Sequence, residues 1–463
     1  MTNSQTLTSL RKKHSYQILD SLRVEVKISE NPYNLQIDDL FTMAARINKR
    51  RSFLFVSKVL GKHLPIVPAK GLLTAALLGA RYLEVVKNEV TSGKKSLIEL
   101  FNENKLDYKP KAFVGSEYNP VVIGFAETAT ALGHSFFDCF KKGDFFHTTR
   151  EQLPLQEAVI TFEEEHSHAT SHRCYVPESL INNNREIILV DDEVTTGKTA
   201  LNIIRSIHSQ FPRSQYTLVS ILDWRSLEDR NQFVLLEKEL GIEVHCVSLI
   251  SGDFKIEETS FHEEEKNENS NPTSFKLVPE TVYLEKELPD LYENINTPNV
   301  TLDGVQKDVS YLKETGRFGL DSNENVFLHE KIFTSGKLLR KKRTGNKTLC
   351  LGTGEFMYLP MRIAAEMGSG TFYQSTTRSP VYIKDKVDYG ARYGLSFPNP
   401  EDHLVPHFVY NIPPNGYDEI FLFFEREVSN EDIQPLLTHL ATLKISNVKV
   451  VFFTGKDRSG GYE

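Results

Sequence analysis

Short, continuously apolar runs recur along the chain. Ile187–Val190, Val121–Gly124, Tyr216–Leu222 and Glu243–Leu249 have the pattern of strands buried on both faces of a parallel sheet. Helical spacing lies between them, with apolar positions Leu201, Ile203, Ile204 and Ile207 in one segment, a second at Glu228–Leu240, and an Ala/Leu-rich helix after Thr130. Leu72–Val86 predicts another helix, after a strand-like Arg51–Leu60 that Gly61–Ile66 breaks. The first 50 residues read as an N-terminal extension, with a strand beginning at Val24 and Val26 and a helix over Asp39–Asn48. Residues 141–185 are polar and weakly periodic, and 251–300 are acidic and poor in apolar periodicity. Strands alternating with helices predict an α/β fold, a parallel sheet flanked by helices. The expected division is a first domain over 1–275, a linker over 276–300 and a second α/β domain over 301–463.

The second domain repeats the first. Leu349-Cys350-Leu351-Gly352-Thr353-Gly354-Glu355 has the form of Val121-Val122-Ile123-Gly124-Phe125-Ala126-Glu127, with Gly352 and Glu355 at one common offset from Gly124 and Glu127. Thr376-Thr377-Arg378 follows Thr148-Thr149-Arg150 at that same offset. This ungapped match implies an internal duplication.

At 463 residues the chain has room for two or three domains, and 40% apolar residues let each half bury a core. A net charge of −8 argues against nonspecific binding to nucleic acid or anionic membrane. The four cysteines (Cys139, Cys174, Cys246, Cys350) are scattered, as in reduced cytosolic proteins. The polar N-terminus shows no signal peptide, and the most apolar stretch, Gly71–Ala80, is too short to span a bilayer. A cytoplasmic location is expected.

The chemistry concentrates after Val190. The apolar run meets two carboxylates, Asp191 and Asp192, where a parallel strand reaches its carboxyl end, the edge at which open α/β sheets bind ligands. Thr195, Thr196, Gly197, Lys198 and Thr199 then form a hydroxyl-rich turn opening a helix, a nest of N–H donors suited to phosphate. Adjacent carboxylates suit vicinal hydroxyls or a divalent metal. A site wanting a phosphate and a diol together wants a phosphorylated sugar. Gly197-Lys198-Thr199 also reads as the end of a P-loop, but the glycine required five residues earlier is Asp192.

The segment resembles the 5-phosphoribosyl-1-diphosphate (PRPP) loop of type I phosphoribosyltransferases. The resemblance implies that Asp191 and Asp192 hold the ribose hydroxyls and that Thr195–Thr199 hold the 5′-phosphate. Gly124, Ala126, Glu127 and Thr128 resemble the loop of that family whose N–H groups face the diphosphate, although the family often has more glycine there. The family places a hood over the base, where Lys58, Lys62 and His63 are candidates for base specificity. It also places a mobile loop within 141–185, where Arg150 and Arg173 would neutralise the departing diphosphate. Glu127 is unexpected beside an anion and would hold Mg²⁺ or a basic neighbour. A zinc site from His166, His168, His172 and Cys174 is a competing idea, but the spacing matches no zinc pattern.

In the second copy Glu419–Ser429 supplies the later strand but neither the Asp-Asp pair nor the Thr-Thr-Gly turn. It is therefore a degenerate phosphoribosyltransferase-like copy whose candidate ligand loop is Gly352, Gly354, Glu355, Thr377 and Arg378. Ser375–Pro380, following Leu351–Pro360, resembles the domain named for its Thr-Arg-Ser-Pro (TRSP) motif; Val56–Leu64 and Phe162–His172 fit the same group. That domain follows a phosphoribosyltransferase-like domain in bacterial tellurite-resistance-associated operons, which implies a role in making a nucleotide-like metabolite.

The expected function is transfer of phosphoribose from PRPP to a nitrogen nucleophile with release of diphosphate, with Mg²⁺ as cofactor. Asp191, Asp192, Arg150 and Arg173 carry it, the first two also as metal ligands. The partners are then PRPP and a small acceptor, with a homodimer as a further expectation and no nucleic acid or membrane. The alternatives are a PRPP- or nucleotide-sensing regulator without turnover, and the reverse, nucleotide-cleaving reaction. The second copy is a candidate for binding or processing the product.

Overall fold

The computed structural model describes residues 13–47, 52–103, 108–163, 171–258 and 277–455. Strands β1 (Lys13–Leu19) and β2 (Leu22–Glu30) form a hairpin, with Leu22, Val24, Val26 and Ile28 alternating inward. β3 (Phe41–Ala45) and β4 (Phe53–Ser57) pair as an antiparallel ribbon. The helix expected over Asp39–Asn48 is a strand at Phe41–Ala45, with Asn48 outside the described residues. Phe41 packs edge-on against Phe55 and Trp224, and this tertiary contact overrides the helical preference of Met43-Ala44-Ala45. Helix α1 (Pro68–Val86) contains the helix expected over Leu72–Val86 and begins four residues earlier, with proline in its first turn, and α2 (Lys94–Asn102) packs beside it.

Then follow β5 (Val121–Gly124), α3 (Ala129–Phe137), β6 (Asp144–His147), β7 (Ile160–Glu163), β8 (Ser171–Cys174) and α4 (Glu178–Ile181). β9 (Ile187–Val194), α5 (Lys198–Gln210), β10 (Gln215–Asp223), α6 (Leu227–Leu240) and β11 (Glu243–Glu258) complete the first copy. β11, β10, β9, β5 and β6 lie in that order, all parallel, and the β1–β2 hairpin extends the β11 edge antiparallel. The core of this half lies between α1, α3 and this sheet.

Within 276–300, expected as a linker, the described residues from 277 onward carry two strands and a short helix. β12 (Glu280–Tyr283) joins the second sheet because Val282 and the following Leu284 are buried there; α7 (Leu284–Glu287) and β13 (Asn294–Val300) follow. Residues 259–276 lie outside the described ones. The chain continues through β14 (Gln306–Leu312), β15 (Leu320–Asp321), α8 (Ser322–Lys341), β16 (Thr348–Gly352), α9 (Tyr358–Glu366) and β17 (Thr371–Ser375). β18 (Gly394–Asn399), β19 (Asp402–Tyr410), β20 (Glu419–Arg426), α10 (Asn430–Ala441) and β21 (Asn447–Thr454) end it. The second sheet, β12-β21-β20-β16-β17, is parallel throughout.

The duplication is visible in the register. β5 pairs Val121 with Ile187, and β16 pairs Leu349 with Ile420, so β5, β6, β9 and β10 correspond to β16, β17, β20 and β21. The two copies face one another as an internal dimer. Phe145 of β6 pairs with Leu320 of the second copy, while Tyr373 of β17, its counterpart in the repeat, exchanges backbone bonds of 2.9 and 2.8 Å with Ile66 of the first. At the centre α3 meets α9: the His134 ring stacks on Tyr358 with centroids 3.5 Å apart. The Tyr358 hydroxyl donates to Asp138, which also takes Asn325 Nδ2 at 3.0 Å and His329 Nε2 at 2.9 Å. Among the described residues no helix is long and apolar enough to cross a membrane.

Candidate functional site

The carboxyl ends of β5 and β9 open onto a cleft of about 410 Å³. β9 continues through both carboxylates to Val194, four residues past the apolar run, and the Asp192 N–H donates to Asp191 Oδ1 at 2.9 Å. Gly197 then turns the chain into α5 with φ of +78°, and a Cβ there would lie 2.6 Å from the Phe233 ring. Only glycine fits such a left-handed position against an aromatic face. Ala200, Ile203, Ile204 and Ile207 bury the inner face of α5, which holds its N-terminal end at the cleft. Asp191, Asp192, Thr195, Thr196, Gly197, Lys198 and Thr199 all line it.

The opposite wall is the loop after β5. Ala126, Glu127 and Thr128 line the cleft, and the peptide between Ala126 and Glu127 is cis. Gly124 does not line it; a Cβ there would sit 2.5 Å from the Ala129 carbonyl, so its place is the close packing of β5 on α3. Lys62 Nζ donates to Thr128 Oγ1. Burial pushes the Glu127 carboxyl up, but the charges of Lys62, Arg150 and Arg378 more than reverse this and hold it below its ordinary range. Behind the loop, the Thr148 hydroxyl accepts from the Ala126 N–H at 2.9 Å and lies 2.8 Å from His172 Nδ1.

Of the hood candidates, Lys62 and His63 line the cleft, while Lys58 turns away and donates to the Asp38 carbonyl at 2.7 Å. Burial, with Lys62 and Arg46 nearby, keeps His63 neutral far below its usual value. Arg150 lines the cleft but Arg173 does not; Arg173 faces a second cleft and donates to the Arg150 carbonyl at 3.4 Å. Of the zinc candidates, His166 and His168 lie outside the described residues, and burial pushes the Cys174 thiol up to about 12, against its use as a thiolate ligand. Among the described residues no cluster of three metal-ligating side chains occurs.

The second copy's own cleft, about 320 Å³, is lined by Gly354, Glu355 and Arg378 but not by Gly352 or Thr377. It repeats the geometry behind the first loop: Gly354 N donates to Thr376 Oγ1 at 3.0 Å, which lies 3.1 Å from His407 Nδ1. It lacks the acidic pair. The register puts Phe424 and Glu425 where Asp191 and Asp192 stand, and the buried Glu425 is gripped by Arg317 at 2.9 and 3.1 Å. The Thr-Arg-Ser-Pro segment instead reaches the first cleft, which Arg378, Ser379 and Pro380 line. The ungapped repeat of Glu and Thr-Thr-Arg put Arg378 in the second copy's own loop and gave no sign of this, because a repeat does not fix how its two copies face each other. Arg46, Leu54, Phe55 and Leu218 complete the cleft with no signal of their own in the sequence.

Two stretches of the chain match known families. Residues 40–253 match the family model described as phosphoribosyl transferase, and residues 314–440 match the one described as TRSP domain C terminus to PRTase_2. No curated protein matches the chain. Among solved structures, adenine phosphoribosyl transferase from Trypanosoma brucei is similar at 10% identity and a TM-score of 0.31, over 51% of this chain and 86% of that one. The Rhodothermus marinus adenine phosphoribosyltransferase is similar at 14% identity and a TM-score of 0.26, over 46% and 95% of the two chains. Orotate phosphoribosyltransferase from Aeropyrum pernix is similar at 15% and 0.23, over 45% and 84%. The first family match falls on the copy that holds the Asp191–Asp192 cleft, and the second on the copy that supplies Arg378.

Proposed function

We propose that the first cleft transfers the 5-phosphoribosyl group of PRPP to a nitrogen nucleophile and releases diphosphate. One observation carries this reading: a single cleft gathers the Asp191–Asp192 pair, the Thr195–Thr199 turn and the Phe125–Thr128 loop with Lys62 and Arg150. These match, in order, a diol, a monophosphate and a diphosphate. The turn holds the 5′-phosphate on N–H groups and the positive end of α5. Asp191 and Asp192 accept from the ribose hydroxyls and favour the positive charge that develops at the ring as the bond from C1 to the diphosphate oxygen breaks. The acceptor nitrogen forms the new bond to C1 and then gives its proton to solvent, while diphosphate leaves with the electron pair of the broken bond. Leu54, Phe55 and His63, on the hood side, line the space for the acceptor.

The same carboxylates fit Mg²⁺, which is commonly held by one or two carboxylates together with substrate phosphates. Bound there, Mg²⁺ would offset the charge of the departing diphosphate. The test is to incubate the purified protein with PRPP, Mg²⁺ and a panel of nitrogen bases and follow diphosphate. Base-dependent release supports the reading; binding of PRPP without release would make the protein a sensor.

A further inference from the structure

We propose that Arg378 of the second copy is a diphosphate-binding arm of the first copy's cleft, so that the Thr-Arg-Ser-Pro segment acts across the internal dimer. This rests on the donor reading above. The segment is fixed to the loop given to the diphosphate: Glu127 Oε2 accepts from the Thr377 hydroxyl at 3.0 Å and from the Arg378 N–H at 3.3 Å. Both bonds use atoms other than the Arg378 guanidinium, which makes no hydrogen bond or ion pair among the described residues. The buried arginines nearby are spoken for. Arg426 is held by Glu151 at 2.8 Å and Glu401 at 2.7 Å, and Arg317 by Glu425. Arg378 is half-buried at the wall of the cleft that also holds Asp191 and Asp192.

Symmetry sharpens the assignment. Arg150 stands in the first copy where Arg378 stands in the second, its N–H bonded to Glu355 at 2.9 Å, and it lines the same cleft. Two guanidinium groups, one from each copy, therefore flank the Phe125–Thr128 loop. Arg378 has no donor to serve in its own copy, because Glu425 and Arg317 close that side. A planar guanidinium fork matches two oxygens of a phosphate group, so the ligand class is a diphosphate, free or attached to the pentose.

The experiment uses the full-length protein, titrated separately with inorganic diphosphate and with ribose 5-phosphate. Arg378→Gln is expected to weaken diphosphate binding by about tenfold or more and to leave ribose 5-phosphate within about twofold. Arg378→Lys, which keeps the charge but not the fork, should fall between, and it decides the matter if the Gln variant does not fold. Diphosphate affinity unchanged in both variants overturns the arm, while ribose 5-phosphate binding that still depends on Asp191 and Asp192 leaves the donor reading standing. Wild-type protein that binds neither ligand overturns both.

Discussion

The Glu127 carboxylate of the first copy accepts the Thr377 hydroxyl of the second at 3.0 Å, and Glu355, its counterpart in the repeat, accepts the Thr149 hydroxyl of the first at 2.6 Å. Each copy thus ties its own anion-loop glutamate to the other's Thr-Thr-Arg. The exchange makes the internal dimer and the cleft one structure. Glu127→Ala should therefore destabilise the protein by about 2–3 kcal/mol, since it strands the Thr377 hydroxyl and the Arg378 N–H. Denaturant unfolding of Glu127→Ala, Thr377→Val and the pair should give losses that do not add. Additive losses would mean the bond contributes nothing.

Stability should fall on the acid side well before the carboxylates titrate. Burial holds His134 and His147 down at about 3 and His407 at about 4, against an ordinary 6.5. The unfolded chain binds these protons first, so stability falls as pH drops below about 6.5 and continues to fall to about 3. Asp138, held at about 2, and Glu127, also depressed, act in the same direction over a lower window. Their contribution is full above the ordinary carboxylate values and is lost as pH falls through the folded ones. Unfolding midpoints measured from pH 8 to pH 4 should decrease throughout the lower half of that range; a flat profile would contradict the buried neutral histidines.

Gly197→Ala should cost about 1–3 kcal/mol, because its Cβ meets the Phe233 ring with the backbone at positive φ. Since the turn leads into α5, phosphate affinity should fall more than this stability loss alone explains. Titration with ribose 5-phosphate at a temperature where the variant is fully folded separates the two effects.

Glu425, paired with Arg317, stands in the second copy where Asp192 stands in the first. Glu425→Gln should cost about 1–3 kcal/mol, because Arg317 loses its nearest carboxylate but keeps Glu355 at 3.6 Å and Glu151 at 3.7 Å, and Arg317→Met should cost more by stranding all three carboxylates. Calorimetric unfolding checks the order of the three midpoints. PRPP affinity should not change in either variant.

Much of this architecture is legible in the residues. Parallel core strands such as Ile187–Val190 announce themselves because both faces are buried, and the Asp-Asp and Thr-Thr-Gly groups mark the sheet edge locally. β3 was not legible: Met43-Ala44-Ala45 has no strand preference and takes its form from Phe55 and Trp224. Nor was the structure within 276–300, where only Val282 and Leu284 carry the burial of β12 and α7. The repeat revealed two copies but not their mutual orientation, so Arg378 read as part of a second site and Arg173 as part of the first. Contacts between segments as distant in the chain as Glu127 and Thr377 leave no periodic trace in either one.

The most direct measurement is calorimetric titration of PRPP with Mg²⁺ into the wild-type protein and into Asp191→Asn/Asp192→Asn. Two charge-assisted hydrogen-bonding groups on the ribose should account for about 100-fold in affinity or more. The expected result is PRPP binding by the wild type and a loss of that size in the double variant, with the unfolding midpoint little changed. Equal affinity in the two proteins would contradict the account.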